Sequence, residues 1–270
     1  MRLGLFIPFD DLYEERFSEL QGMGFETCQL GCRDEQRYTT AQADRLKHTA
    51  ESFRVEITAF WSSLESPVVW DFQSGPLVIG IVPRAYRFER MKSILRGADF
   101  AARVGIQNIA THAGFIPENP ADSNYREVVC ALRYLAQRLK ENGQNLLLET
   151  GQETPVTLKR AIDDAQMDNI GVNFDPANFL MYGTANPVDA VGLLAGHIMG
   201  VHAKDGEYPV NGRELGLEKP LGEGRVNYPL FIEKLKASGY DGPLTIEREI
   251  TGPQQKVDII KARKLLETLI

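Results

Sequence analysis

The chain has 270 residues, of which 43% are hydrophobic, and it carries a formal charge of −7 with a pI near 5.3. That is enough apolar material for one large core, and chains of this length with an α/β pattern are ordinarily a single domain. The acidic balance gives no electrostatic footprint for nucleic acid or an anionic membrane, and no apolar run approaches the length of a membrane span.

Eight short apolar runs alternate with eight helical patterns. Residues 3–7 read as the first strand, with no signal-peptide layout around them, which points to a cytoplasmic protein. A helix over 12–23 stops at Gly24, and a strand over 27–30 follows. The helix over 40–53 opens on a threonine in cap position and leads to a strand over 56–60. The next connection is long. It runs from Trp61 to Arg87, carries both tryptophans (Trp61 and Trp70), and reads either as a lid over a small polar substrate or as a structural cover or oligomer contact. Then come a helix over 88–104 ended by Gly105, a strand over 108–112, a helix over 125–142 ended by Gly143, and a strand over 146–149. Thr154-Pro155 opens the next helix with proline at its first position. A strand over 171–174, a helix over 187–195 and a strand over 199–202 lead into a second long loop, 204–226, in which Gly222-Glu223-Gly224 reads as a tight turn. A helix over 228–238, a strand over 244–247 and a helix over 254–269 complete the series.

Eight βα units without a polar linker predict one (β/α)8 TIM-barrel domain over 1–270, with its active site at the C-terminal ends of the strands. A doubly wound sheet would carry a glycine-rich phosphate loop after its first strand, and no G-x-G-x-x-G stands there. The three cysteines, Cys28, Cys32 and Cys130, make no disulfide framework, as a reducing compartment would suggest. Cys28 and Cys32 lack two further zinc ligands nearby, and Cys130 reads as a small core residue of its helix.

Four consecutive strand tails carry the chemistry. Glu149, Asp175, His202 and Glu247 each close an apolar run, and parallel barrel strands would bring them to one mouth. Three carboxylates and an imidazole suit a divalent cation such as Mn²⁺, Mg²⁺, Co²⁺ or Zn²⁺. Taken singly, each has a blander reading, as a helix cap, an ion-pair partner or a hydrogen-bonded core histidine. Together they suit proton transfer at a carbon flanked by a carbonyl and a hydroxyl, through a metal-stabilised enediolate, with Glu149 and Glu247 as the acid/base pair.

The stretches Leu148-Glu149-Thr150-Gly151-Gln152-Glu153, Val172-Asn173-Phe174-Asp175-Pro176-Ala177-Asn178, Val201-His202-Ala203-Lys204-Asp205, Pro220-Leu221-Gly222-Glu223-Gly224 and Leu244-Thr245-Ile246-Glu247-Arg248-Glu249 resemble the xylose isomerase-like TIM-barrel family of sugar and sugar-phosphate isomerases and epimerases, whose superfamily includes AP endonucleases. The resemblance implies that Glu149, Asp175, His202 and Glu247 hold one divalent metal, Mn²⁺ before Mg²⁺, Co²⁺ or Zn²⁺, that Glu149 and Glu247 are catalytic, and that the substrate is a sugar or polyol. The chain departs from the family pattern: Asn178 stands where many relatives have histidine, and Arg213 is the nearest arginine after the metal histidine. A glutamate common on the second strand corresponds to Gln29 or a neighbour.

His112, Asn178, Lys204, Trp61 and Arg213 are the expected substrate contacts. Arg213, Lys204 or Arg225 could hold a phosphate, while His48 and His197 are expected bystanders. A lyase dehydrating a keto-polyol such as a keto-inositol is the alternative activity. An AP endonuclease-type hydrolase fits less well, because its extra metal ligands lack counterparts here. A homo-oligomer is compatible with the sequence.

Overall fold

A computed structural model of the chain describes residues 1–64 and 66–270. Its eight long strands are β1 (Arg2–Pro8), β2 (Thr27–Gly31), β3 (Glu56–Trp61), β4 (Asn108–His112), β5 (Asn145–Glu149), β6 (Ile170–Phe174), β7 (Ile198–Ala203) and β10 (Pro243–Ile246). They close a parallel barrel in the order β1-β10-β7-β6-β5-β4-β3-β2. Strands that follow one another in sequence are therefore neighbours in space. Short runs such as the Leu146-Leu147-Leu148 of β5 are buried on both faces, which is why they read as continuous apolar segments rather than as alternation.

The outer helices are α1 (Tyr13–Gly22), α2 (Thr40–Phe53), α4 (Arg84–Val104), α5 (Ser123–Glu141), α6 (Pro155–Ala165), α8 (Pro187–Leu194), α9 (Tyr228–Ala237) and α10 (Pro253–Glu267). Thr39, Asp122, Thr154 and Asn186 cap α2, α5, α6 and α8 through their side-chain oxygens. On α5, Tyr125, Val128, Val129, Leu132, Leu135, Ala136 and Leu139 form the buried stripe. Cys130 falls outside that stripe and is exposed, which corrects its reading as a core residue.

Four further elements depart from the sequence expectation. The long connection after β3 holds a short helix, α3 (Gly75–Val78), and α4 starts at Arg84 because Pro83 precedes it in extended conformation. A six-residue helix, α7 (Pro176–Met181), follows β6 directly. The loop after β7 folds into a two-stranded antiparallel hairpin of β8 (Asp205–Gly206) and β9 (Glu218–Lys219). Of the connection expected to cover the mouth, Glu65 lies outside the described residues.

One large apolar cluster fills the layer between barrel and helices. A separate small one, Ala59, Ala110 and Leu147 with Trp61 and Met199 against it, lies beneath the C-terminal mouth; Leu147 shares a face of β5 with Glu149. Among the described residues no helix is long and apolar enough to cross a membrane.

Candidate metal centre

Glu149 is the last residue of β5, Asp175 follows β6, His202 lies within β7 and Glu247 follows β10. Each offers one ligand atom, and these atoms all lie within 4.8 Å of one another. His202 Nδ1 is 2.6 Å from Glu149 Oε1, 3.3 Å from Glu247 Oε2 and 4.0 Å from Asp175 Oδ2. Among the described residues, Glu149 Oε1, Asp175 Oδ2 and His202 Nδ1 are buried and have no hydrogen-bond partner outside the cluster they form with one another. Buried polar atoms are nearly always paired, so unspent donors converging on one point fit a cation.

Asp175 divides its carboxylate between two tasks. Oδ1 accepts from the backbone N–H groups of Ala177 and Asn178 and caps α7, while Oδ2 faces the cluster. The cap and ligand readings of this residue are thus not exclusive.

The electrostatics are strongly coupled. Burial pushes Glu149 up, but the charges of His202 and His112 outweigh it and hold the carboxyl at about 2. Burial raises Glu247 as well, and Lys204 and His202 reverse this and leave it well below its usual range. Burial lifts Asp175 to about 8 against the pull of Lys204, with Glu149 and Glu247 adding to the rise. Burial disfavours the charged form of His202, yet Glu247 and Glu149 raise it well above its ordinary value. Lys204 is buried and ion-paired to Glu249 at 3.0 Å, Glu247 at 3.1 Å and Asp175 at 3.7 Å, so it offsets part of the negative charge.

Around the donors stand aromatic walls. Trp61 stacks on His202 at 5.3 Å between centroids, and Trp70, half-exposed on the long connection, lies 4.6 Å from His112. His112 Nε2 is 2.9 Å from Glu149 Oε2. Asn178 is buried in the first turn of α7, against Gly151. Of the expected substrate contacts, His112, Lys204 and Trp61 lie against the donors and Asn178 beside Asp175. Arg213 is exposed in the loop between β8 and β9, where its backbone N–H bonds Asn211, and Arg225 is exposed as well.

The loop after β7 is tied down by Asp205, whose carboxylate accepts from the N–H groups of Gly206, Gly222, Gly224 and Val226. Gly222 adopts φ +87°, and a Cβ on Gly224 would stand 2.1 Å from Asp205 Oδ1, which accounts for both glycines of the tight turn.

Sequence reasoning passed over a second polar group. Both amide atoms of Gln152, both oxygens of Glu153 and the Tyr182 hydroxyl are buried without partners. Burial, with Glu118 and Glu149 adding, lifts the Glu153 carboxyl to about 8. The available signal was the pair Gln152-Glu153 closing the stretch that begins at Glu149, in a segment too short to break the barrel pattern.

A depression of about 750 Å³ lies at the opposite end of the barrel, lined by Arg2, Phe25, Glu56 and Ile106 among others. Among the described residues, none of the unpartnered buried atoms borders it.

The family described as xylose isomerase-like TIM barrel matches residues 17–269, and the chain belongs to it. The solved structure of a xylose isomerase domain protein from Planctomyces limnophilus is 32% identical, with a TM-score of 0.93 over 99% of this chain and 96% of that one. A D-tagatose 3-epimerase-like protein is 20% identical with a TM-score of 0.76, covering 100% of this chain and 97% of that one; this likeness shows the fold alone. The same holds for a D-psicose 3-epimerase, an L-ribulose 3-epimerase and a probable 3-DHS dehydratase from Bacillus anthracis, all at 19% identity or less. An uncharacterized protein of Methanocaldococcus jannaschii is 29% identical over 174 residues, 59% of this chain; the match spans about half (55%) of that protein's length.

Proposed function

We propose that the protein is a divalent-metal-dependent epimerase or isomerase of a sugar, sugar phosphate or related polyol. The observation that carries this reading is the convergence of four ligand atoms, three of them without a hydrogen-bond partner outside the cluster, beside the Trp61–Trp70–His112 wall. Glu149, Asp175, His202 and Glu247 would hold the metal, with Mn²⁺ the first candidate. When bound, it would act as a Lewis acid on a carbonyl and its neighbouring hydroxyl, lowering the pKa of the C–H between them.

Glu149 stands at the cation site with His112 against its other oxygen, which places its carboxylate to take that proton. Glu247 comes from β10, separated from β5 by β7 and β6, and so approaches the same centre from another side. A proton returned by Glu247 to the same carbon inverts the centre; a proton returned to the next carbon interconverts aldose and ketose. Lys204 sets the charge of Glu247, and His112, beside Glu149, is placed to hydrogen-bond a substrate oxygen.

A dehydratase is the second reading, and Glu153 favours it. A buried carboxyl that keeps its proton up to about 8 is a proton donor for a departing hydroxyl, and it lies within electrostatic range of Glu149. Incubation with Mn²⁺ and a panel of ketoses in deuterated water separates the cases. Deuterium incorporation without change of skeleton supports the first reading, and loss of water supports the second. Metal-loaded protein that exchanges no substrate proton with any polyol ketone sinks both.

A further inference from the structure

We infer that Gln29 is a positioning residue that commits His202 to bind metal through Nδ1; the inference rests on the metal-centre reading above. Trp61 Nε1–H can only donate, and it donates to Gln29 Oε1 at 2.7 Å. The other half of the amide donates from Nε2 to Asn173 Oδ1 at 2.9 Å, so the orientation of the amide is set from both ends. The same Oε1 lies 2.9 Å from His202 Nε2. An amide oxygen accepts only, hence Nε2 is the ring nitrogen that carries hydrogen. The nitrogen left for a cation is Nδ1, which is also the one facing Glu149, Glu247 and Asp175.

The surroundings hold the ring in place. Trp61 stacks on His202 with 26° between planes, and Phe6 meets it edge-on at 5.8 Å. Gln29, Asn173 and His202 are all buried. Gly200 on β7 leaves the space the relay needs: a Cβ there would stand 2.5 Å from Asn173 Oδ1 and 3.4 Å from Gln29 Nε2. The relay therefore ties β2, β3, β6 and β7 together behind His202. A neutral amide performs the orienting task that a carboxylate often performs behind a metal-bound histidine, without adding another negative charge to a mouth that already holds three carboxylates.

Two measurements test the inference. In wild-type protein loaded with Zn²⁺, long-range ¹H–¹⁵N correlations of the four histidines should show His202 protonated at Nε2. A hydrogen on Nδ1 instead overturns the inference. By calorimetry, Gln29→Met should weaken Mn²⁺ binding about 10- to 100-fold, the usual effect of losing an outer-shell partner. Gln29→Glu, which keeps an acceptor toward both Trp61 and His202, should bind close to wild type. Unchanged affinity in Gln29→Met overturns the positioning role while leaving the metal centre standing. Absence of Mn²⁺ binding in wild type overturns the metal centre itself. Should Gln29→Met fail to fold, the wild-type spectrum and Gln29→Glu still decide: a Glu variant that folds but loses Mn²⁺ refutes the acceptor argument.

Discussion

Single residues at this mouth answer to several demands at once. Asp175 caps a helix with one oxygen and faces the donor cluster with the other, and His202 is oriented on one nitrogen and faces the carboxylates with the second. Charged residues closing apolar runs are visible in sequence because charge is rare there. The relay behind them is not: Gln29 and Asn173 are neutral and 144 positions apart, and only the closed barrel makes them touch. Glu153 was overlooked for a related reason, since an acid in a loop reads as solvated until burial is known. Its folded-state pKa of about 8 exceeds the ordinary 4.5, so the native state holds its proton more tightly than the unfolded chain does. The associated stability is fully present below pH 4.5 and is lost as pH rises through 8, a change of roughly 5 kcal/mol. Glu153→Gln should therefore leave stability almost unchanged near pH 4.5 and exceed wild type clearly at pH 9. Urea unfolding in chelator at the two pH values checks this, and a wild-type–variant difference that does not depend on pH refutes it.

At the level of elements, the legible parts were those with enough length to show a period or a cap. Eight strands and eight helices met that condition. The helix α7 did not: it spans six residues, too few for an apolar stripe, and only the Asp175 cap and Pro176 at its first position announced it. The β8–β9 hairpin has two residues per strand and no alternation to read. The connection after β3 owes its shape to long-range anchors rather than local propensity. Ile81 and Val82 donate their backbone N–H groups to the Ala113 carbonyl, and the buried Arg90 guanidinium donates to the carbonyls of Gly80 and Pro67, each at 2.6 Å. Because Trp70 rides on this segment beside His112, Arg90 helps to set the aromatic wall from below. Arg90→Met keeps most of the volume and removes the donors. It should cost roughly 2–4 kcal/mol by leaving buried carbonyls unpaired. Amide exchange should quicken across 66–82 while β5–β7 stay protected. Uniform acceleration over the whole barrel would show that Arg90 supports the core rather than the cover.

For the molecule as a whole, the closed order of strands explains why a linear pattern predicted a three-dimensional site. The four candidate ligands come from β5, β6, β7 and β10, which are contiguous in the barrel, so consecutive strand tails in sequence become one cluster at one end. The same geometry makes the cluster a property of the folded state alone, because an unfolded chain spreads Glu149 and Glu247 almost 100 residues apart. Binding a cation there must stabilise the entire barrel by mass action. At a Mn²⁺ concentration one hundred times its dissociation constant the gain is about 2.7 kcal/mol. For a domain of this size that corresponds to a rise in unfolding temperature of about 5–10 °C. Glu149→Gln, which keeps shape and removes charge, should abolish most of that rise, and chelator should bring wild type down to its metal-free value. If millimolar Mn²⁺, Mg²⁺, Co²⁺ and Zn²⁺ all leave the wild-type transition where it stands in chelator, the four donors are an ion-paired cluster organised by Lys204, and no cation belongs among them.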